Sequence, residues 1–595
     1  MAQSAAPAAT DALPEWDLSD LYPAPDSPAL AGDLARAGAD AKAFRARWEG
    51  KLSGLAGSAL AAALREYEAL QDLLGRIMSY AQLVHSRAIS DETVGRFYQT
   101  TQEKVTDITS ELLFFTLELN RIEEDALQAK LADPALAAYG PWIRDTRAFR
   151  PHQLSDEAER LLHDKSVAGR ASWIRLYDET LAGLRFPVDG RDLTMAEVLN
   201  LLSDRDGALR RKAADCLGRV LGDQGRLFAL VTNTLAKDKE VEDRWRGFPR
   251  PISARKLSNF VEDEVVDALV TATREAYPRL THRYYRLKAR WFGVDQLDHW
   301  DRNAPLPDDE DRVIPWPQAR DTVLDAYAHF SPEMADIGRR FFEAPWIDAP
   351  VRPGKASGAF AHPTVPSAHP YLLLNYQGKT RDVMTLAHEL GHGVHQVLAA
   401  GQGALMADTP LTLAETASVF GEMLTFRSLL RAETDPRRRK VMLAAKVEDM
   451  LNTGPRQIAL CDFEIRLHDA RRKSELTAKE IGLLWREVQG ASLGPAIRLG
   501  QGYEWYWAYI PHFIHTPFYV YAYAFGDCLV NSLYAVYEGA AEGFAAKYLD
   551  MLRAGGSKRH RELLAPFGLD AADPAFWRRG LGVVEGMIDE LERMG

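Results

Sequence analysis

Cysteine is scarce in this chain, and its scarcity excludes one class of fold. Only Cys216, Cys461 and Cys528 occur among 595 residues, far apart and without paired spacing. A disulfide framework needs several cysteines at short, regular spacings. We therefore expect a protein that folds without disulfide bonds.

Two further absences concern partners. The net charge is −12, and the sequence has no lysine and arginine block long enough to follow a phosphate backbone, so nucleic acid is not an expected partner. No apolar run is long enough and clean enough to span a bilayer. The best candidate, residues 513–533, contains His515, Pro517, Asp527 and Asn531, which predicts a buried helix and no membrane partner.

The amino terminus lacks the basic start and the continuous apolar core of a secretion signal. We therefore expect a cytoplasmic protein, with a flexible tail over residues 1–13. The composition, 46% hydrophobic and 26% charged, is that of ordinary globular proteins. The length exceeds what a single core supports, which predicts at least two lobes.

Most of the chain has the apolar spacing of helices. Residues 31–48, 57–87 and 91–119 carry apolar residues at the intervals of three and four that helices show, and the first two segments are rich in alanine. We predict a mainly α-helical fold, with an N-terminal helical lobe over residues 14–190 and a second domain over residues 191–595.

A stretch rich in proline and glycine, residues 345–370, interrupts the helices. Residues 358–362 and 371–375 read as short strands. An edge strand here could pair with an extended peptide, although a hairpin used only for packing fits the sequence equally well. The acid cluster 308–311 is predicted to lie in a solvated surface loop.

The stretch from Thr380 to Gly401 has marked ends. Thr380 suits an N-cap, Asp382 suits the positive end of a helix dipole, and Gly401 suits a left-handed closing residue. We predict a helix over about residues 381–400. Its apolar residues recur at intervals of three and four and should form a buried stripe: Val383, Leu386, Leu390, Val394 and Val397.

His388 and His392 fall on another face of this helix, one turn apart, so their ring nitrogens can converge on one tetrahedral ion. Glu389 lies about 100° round the helix, within reach of a water on that ion. The pattern His-Glu-x-x-His is typical of zinc hydrolases, although it also occurs by chance in unrelated helices.

A zinc site needs a third protein ligand. His395 lies roughly 10 Å along the axis from His388, too far to share the ion, and is expected to support the site or face a substrate. We predict Glu415, on a second helix from Leu411 that packs back on the first, as the third ligand. Ser418 and Glu422 could support these ligands, although Glu422 could equally be an ordinary exposed acid.

With these residues in place, the chain resembles the oligoendopeptidase F family, a branch of the thimet-type zinc oligopeptidases. Besides His-Glu-Leu-Gly-His and the following Glu-x-x-Ser, four stretches carry the resemblance along nearly the whole chain. They are residues 16–22 (WDLSDLY), 152–159 (HQLSDEAE), 173–177 (WIRLY) and 510–523 (IPHFIHTPFYVYAY).

The resemblance implies a two-lobed helical zinc metallopeptidase with a deep cleft and a small β-sheet beside the active-site helix. It implies one Zn²⁺ per chain, oligopeptide substrates, internal cleavage, and Glu389 as general base toward metal-activated water. It also implies that His512 and tyrosines stabilise the tetrahedral intermediate, for which we favour Tyr519 and Tyr523 over Tyr521.

Three alternatives stay open at this point. A related helical zinc carboxypeptidase would trim residues from a C-terminus and need its free carboxylate. A helical scaffold could hold a structural zinc without chemistry, although such sites usually have four ligands, often cysteines. Cobalt or manganese could also occupy the same ligands.

Overall fold

The structure is a computed structural model that describes residues 13–166, 168–306, 313–356, 358–540 and 542–595. The acid cluster 308–311 and the predicted tail, except for residue 13, lie outside these residues.

Helices dominate the described chain, as the apolar spacing predicted. In chain order they are α1 Pro28–Trp48, α2 Gly57–Arg87, α3 Glu92–Ser110, α4 Leu113–Arg121, α5 Glu124–Leu131, α6 Pro134–Ala137, α7 Gly140–Arg147, α8 Asp156–Ser166, α9 Arg170–Gly183, α10 Met195–Leu201, α11 Gly207–Asp223, α12 Gly225–Arg246, α13 Ser253–Ser258, α14 Asp263–Ala276, α15 Thr281–Trp291, α16 Trp316–Phe330, α17 Pro332–Glu343, α18 Thr380–Ala399, α19 Leu411–Ala414, α20 Thr416–Ala432, α21 Pro436–Thr453, α22 Pro455–Lys473, α23 Ala478–Leu493, α24 His512–His515, α25 Tyr521–Gly539, α26 Phe544–Arg553, α27 His560–Leu564 and α28 Pro574–Arg593.

Local sequence explains several helix starts. Thr194 precedes α10 and Thr477 precedes α23, and each accepts a hydrogen bond from the backbone N–H three residues later. The glutamates at those later positions, Glu197 and Glu480, accept the N–H of the threonine in return. These reciprocal bonds satisfy donors that a helix end would otherwise leave free.

Seven short strands accompany the helices: β1 Phe186–Val188, β2 Arg191–Leu193, β3 Leu297–Asp298, β4 Ile347–Asp348, β5 Phe360–His362, β6 Tyr371–Leu373 and β7 Ile497–Arg498. β1 pairs with β2 antiparallel, and β3 pairs with β7 parallel. β6 lies between β4, to which it is parallel, and β5, to which it is antiparallel. The two strands predicted before the His388 helix are thereby confirmed, with β5 at an edge.

The chain divides into two compact units, each assembled from three segments. The first unit takes Met1–Arg150, Asp311–Ala432 and Gly539–Gly568. The second takes Pro151–Glu310, Glu433–Glu538 and Leu569–Gly595. The β4–β6–β5 sheet and α18 belong to the first unit, while α22 and α25 belong to the second. The boundary placed near residue 190 stays a prediction.

The three cysteines are buried and free. Within the described part of the chain, no helix is both long enough and apolar enough to cross a bilayer. Residues 513–533 instead form the end of α24, a turn, and the first part of α25, whose residues from Tyr521 to Ala522 and from Ala524 to Tyr534 are buried.

Candidate metal centre

Helix α18 carries both predicted metal-binding histidines, but its start differs from the prediction. Lys379 is the N-cap and Thr380 is the first helical residue. The carboxylate of Asp382 accepts hydrogen bonds from the backbone N–H groups of Gln377, at 2.8 Å, and Lys379, at 3.0 Å. Because Asp382 satisfies these donors from inside the first turn, the Thr380 hydroxyl is not needed as a cap.

The predicted end of α18 needs a similar correction. The helix ends at Ala399, and Gly401 does not adopt a left-handed conformation. A turn of 3₁₀ helix over Ala400–Gln402 follows, and Gly403, with φ of 80°, reverses the chain. The extra turn postpones the reversal by two residues.

The buried stripe of α18 is confirmed except at its end, where Val397 is only partly buried. Helix α18 also approaches α20 closely at Gly391, which lies between the two histidines in the sequence. A Cβ atom at Gly391 would lie 2.5 Å from the carbonyl oxygen of Ala417. Only a glycine permits this approach, which brings the histidines to the start of α20. The sequence analysis did not use this signal.

His388, His392 and Glu415 meet at one point. The Nε2 atoms of His388 and His392 lie 3.3 Å and 3.4 Å from the same oxygen, Oε2 of Glu415. One ligand atom from each residue falls within 4.8 Å of the other two, a separation that suits a shared cation. Glu415 lies at the break between α19 and α20, whereas the sequence predicted one continuous helix.

Two further side chains hold these three candidate metal ligands in place. The buried hydroxyl of Ser418 donates to Oε2 of Glu415 at 2.7 Å. Oε2 of Glu422 lies 3.3 Å from Nδ1 of His388. A hydrogen bond from Nδ1–H to this carboxylate leaves Nε2 of His388 free to bind a cation. Glu422 therefore contacts the site and is not an ordinary exposed acid.

The electrostatics of this group suit a positive charge at its centre. Burial lowers the pKa of His388, but hydrogen bonds to Glu415 and Glu422 outweigh it and raise this pKa to about 10. Burial raises the pKa of Glu415, and hydrogen bonds with both histidines lower it to well below its ordinary value. A ligating imidazole is neutral, so a bound cation would replace the proton that these contacts favour.

Glu389 is buried next to these donors. It is 7% exposed, and burial raises the pKa of its carboxyl group. The backbone of Ala361, in the edge strand β5, partly offsets this rise in pKa. The predicted acid therefore lies between α18 and the edge of the sheet. No pattern in the sequence identified Ala361.

His395 lies outside the group of donors, as its distance along the helix predicted. Its side chain is buried, and burial lowers its pKa to about 4. The backbone of Ala414, the residue before Glu415, partly offsets this fall in pKa. A buried ring cannot face a substrate, so the structure favours the other predicted role of His395, which is to support the site.

The predicted aromatic donors lie together in the second unit. The hydroxyl of Tyr523 is 3.4 Å from Nε2 of His512, and the ring of Tyr519 is 5.1 Å from that of Tyr523 and 5.9 Å from that of His512. Tyr521 is fully buried, and its hydroxyl is bonded to Asn259 at 2.7 Å. Unlike Tyr521, the side chains of Tyr519 and Tyr523 are partly exposed.

A mainly α-helical fold in which two histidines and one glutamate can share a cation is compatible with a helical metallopeptidase. Two family sequence models match the chain: one described as Peptidase family M3 over residues 200–583, and one described as Oligopeptidase F over residues 118–186. The chain belongs to peptidase family M3.

Relatives in sequence agree. The chain is 27% identical to Oligopeptidase PepF of Bacillus subtilis over 561 residues, which span 92% of this chain and 82% of that protein. It is 26% identical over 552 residues to an Oligoendopeptidase F homolog of Lactococcus lactis, spanning 89% and 90% of the two chains. The resemblance to oligoendopeptidase F is thereby confirmed.

Solved structures show the same fold. A structure from Chlamydophila abortus superposes with a TM-score of 0.87 at 22% identity, covering 98% of each chain. Oligoendopeptidase-F from Enterococcus faecium gives a TM-score of 0.70 at 21% identity, covering 95% of this chain and 97% of that one. The mainly α-helical fold of this class is therefore confirmed.

Proposed function

We propose that this chain is a zinc-dependent endopeptidase that hydrolyses internal bonds of short, unstructured oligopeptides. The observation that carries the proposal is the meeting of His388, His392 and Glu415 beside the buried Glu389. Membership of a peptidase family supports peptide hydrolysis, and the names of the relatives support short peptides as substrates. A cytoplasmic location stays a prediction.

The donor set fits zinc. Two imidazole nitrogens and one carboxylate oxygen are the ligands of many catalytic zinc sites, which keep one position open. Structural zinc sites usually have four ligands and often use cysteine, whereas the group found among the described residues has three ligands and no cysteine. This argues against a purely structural metal. Cobalt or manganese would accept the same ligands, and we propose one ion per chain.

When bound, zinc would acidify water and polarise the carbonyl of the bond to be cleaved. Glu389 accepts the proton of the attacking water on its carboxylate. It then returns this proton to the nitrogen of the leaving amine, so that the C–N bond breaks and a neutral amine departs. Its burial beside the donors keeps bulk water from competing for the proton.

Following the family resemblance, we assign His512 and one of Tyr519 and Tyr523 as hydrogen-bond donors to the developing oxyanion. Their proximity to each other in the second unit supports a shared role. Burial lowers the pKa of His512, which favours a neutral ring near pH 7. A donor of this kind typically contributes about 3 to 4 kcal/mol to transition-state stabilisation.

A quenched-fluorescent peptide with an amidated C-terminus tests the proposal. We expect cleavage at an internal bond, loss of cleavage with a zinc chelator, and recovery when zinc is added back. Mass spectrometry of the products gives the bond that is cut. Cleavage that needs a free C-terminal carboxylate would instead indicate a carboxypeptidase, and an uncut peptide in the zinc-loaded protein would reject the proposal.

A further inference from the structure

The segment 508–519 of the second unit carries His512 and Tyr519, and side chains from other elements hold its backbone. The hydroxyl of Tyr177 donates to the carbonyl of Ala508 at 3.0 Å. Arg170 donates to the carbonyls of Ile514 and His515, both at 3.2 Å. These donors bind the carbonyl oxygens of the segment and hold it against α9.

The backbone turns sharply just before Tyr519. The N–H of Tyr519 bonds to the carbonyl of Thr516 at 3.1 Å, which closes a turn with Pro517 in its second position. Phe518, in the third position, has φ of 61°. A positive φ in this place normally selects glycine, and a non-glycine residue there is strained. Something outside the turn must therefore stabilise Phe518 in this conformation.

Glu464 supplies that contact. Its Oε1 accepts the backbone N–H of Phe518 at 2.8 Å, from α22, which is 54 residues away in the chain. The ring of Phe518 is fully buried, and its centre lies 4.9 Å from that of His468, one turn further along α22. Both the N–H and the ring of Phe518 are thus fixed by one face of α22.

The surroundings of Glu464 are unusual for a glutamate that serves only to pack helices together. It is 2% exposed, none of the described residues forms an ion pair with it, and its Oε2 has no hydrogen-bond partner. Burial raises the pKa of this carboxyl group to about 8. A small cavity of about 20 Å³, enough for one water, adjoins Glu464 and Pro517. Burying a carboxyl group without an ion pair destabilises the folded state, which indicates a functional role for the contact between Glu464 and Phe518.

We propose that Glu464 is a positioning residue for the peptidase reaction: by holding Phe518 in the left-handed conformation, it directs Tyr519 toward His512 and Tyr523. The local sequence favours a different arrangement, because Thr516 and Pro517 are typical of a helix start that would continue into α25. Glu464 opposes that continuation. The inference rests on the proposed function, since it assumes that Tyr519 serves the reaction.

The zinc-loaded full chain tests this inference with the variants Glu464→Ala, Glu464→Gln and Glu464→Asp. In Glu464→Ala we expect kcat to fall by about 100-fold, the loss that a displacement of about 1 Å at a catalytic site can cause, with KM and zinc content nearly unchanged. Glu464→Gln should restore most of kcat, because the amide oxygen still accepts the Phe518 N–H. Glu464→Asp, one methylene shorter, should fail to restore it, and serves in place of Glu464→Ala should that variant not fold.

Asn233→Ala is a matched control. Asn233 is also buried in the second unit, and its Oδ1 accepts the N–H of Leu476 at 2.9 Å, so its removal leaves a comparable backbone donor unpaired in another loop. We expect it to lower Tm but to leave kcat within about twofold, since it moves no reacting group. Equal losses of kcat in Asn233→Ala and Glu464→Ala would overturn the inference.

Amide hydrogen exchange provides a readout that does not depend on activity. Exchange at Phe518 should accelerate in Glu464→Ala and stay slow in Glu464→Gln. Failure of the parent protein to cleave peptides would reject the proposed function, while exchange would still test the contact. A parent that cleaves, together with unchanged exchange and kcat in both Glu464→Ala and Glu464→Asp, would reject the positioning role alone.

Discussion

Removal of the Ser418 hydroxyl tests whether side chains that hydrogen-bond to the candidate metal ligands set the affinity for zinc. Ser418 is fully buried, and Ser418→Ala removes a 2.7 Å hydrogen bond to the oxygen of Glu415 that also faces both histidines. A hydrogen bond to a charged group contributes about 1.5 to 3 kcal/mol, and about 1.4 kcal/mol corresponds to a tenfold change in Kd. We therefore expect zinc to bind about 10- to 100-fold more weakly, which matches the usual effect of such supporting groups.

The assay is competition for zinc between the protein and a chromophoric chelator at fixed pH. Thr425→Val serves as the control, because Thr425 is equally buried on α20 but donates only to the backbone carbonyl of Gly421, at 2.9 Å. Its zinc Kd should match that of the parent. A Kd for Ser418→Ala within about twofold of the parent would refute the reasoning. The hydrogen bond would then contribute less than about 0.5 kcal/mol to zinc binding, well below the roughly 1.5 to 3 kcal/mol expected of it.

Three further predictions follow from the same geometry. Glu415→Ala should lose zinc by elemental analysis while His395→Ala keeps it, and the reverse result would make His395 the ligand. Tyr519→Phe and Tyr523→Phe should each be compared with the parent for a lower kcat at unchanged zinc content; if neither is slower, the donor assignment is wrong. Because the pKa of Glu464 is about 8 when folded and near 4.5 when unfolded, its contribution to stability is lost as pH rises from about 4.5 to 8. Glu464→Gln should therefore gain Tm relative to the parent above about pH 8, and an equal Tm difference at pH 5 and pH 9 would contradict the shift.

Much of the fold followed from short-range patterns. The spacing of apolar residues predicted α2 and α18 to within a residue or two at each end, and the strands β5 and β6 were expected from their apolar runs beside proline and glycine. His388 and His392 were predicted as metal ligands from their spacing on one helix. Glu415 required the further assumption that the next helix returns to the first, and the close approach at Gly391 explains why it does.

The misplaced details have local and long-range causes. Glu415 interrupts a helical pattern beside the hydroxyl of Ser418, only three residues away. Phe518 interrupts another, and the side chain that binds its N–H comes from a different helix. Glu464 lies 54 residues from the turn it holds, so no local pattern could identify it. Propensity describes short segments well, but at Phe518 a long-range hydrogen bond to a backbone N–H holds a turn where the local sequence favours a helix.

The most direct test of the account is Glu389→Gln. Glu389 is not among the three donors, so the variant should bind one zinc per chain as the parent does. Its cleavage of the quenched peptide should fall by at least about 100-fold, because the amide cannot accept the proton of the attacking water. A zinc-loaded Glu389→Gln protein that cleaves at the parental rate would contradict the proposed chemistry.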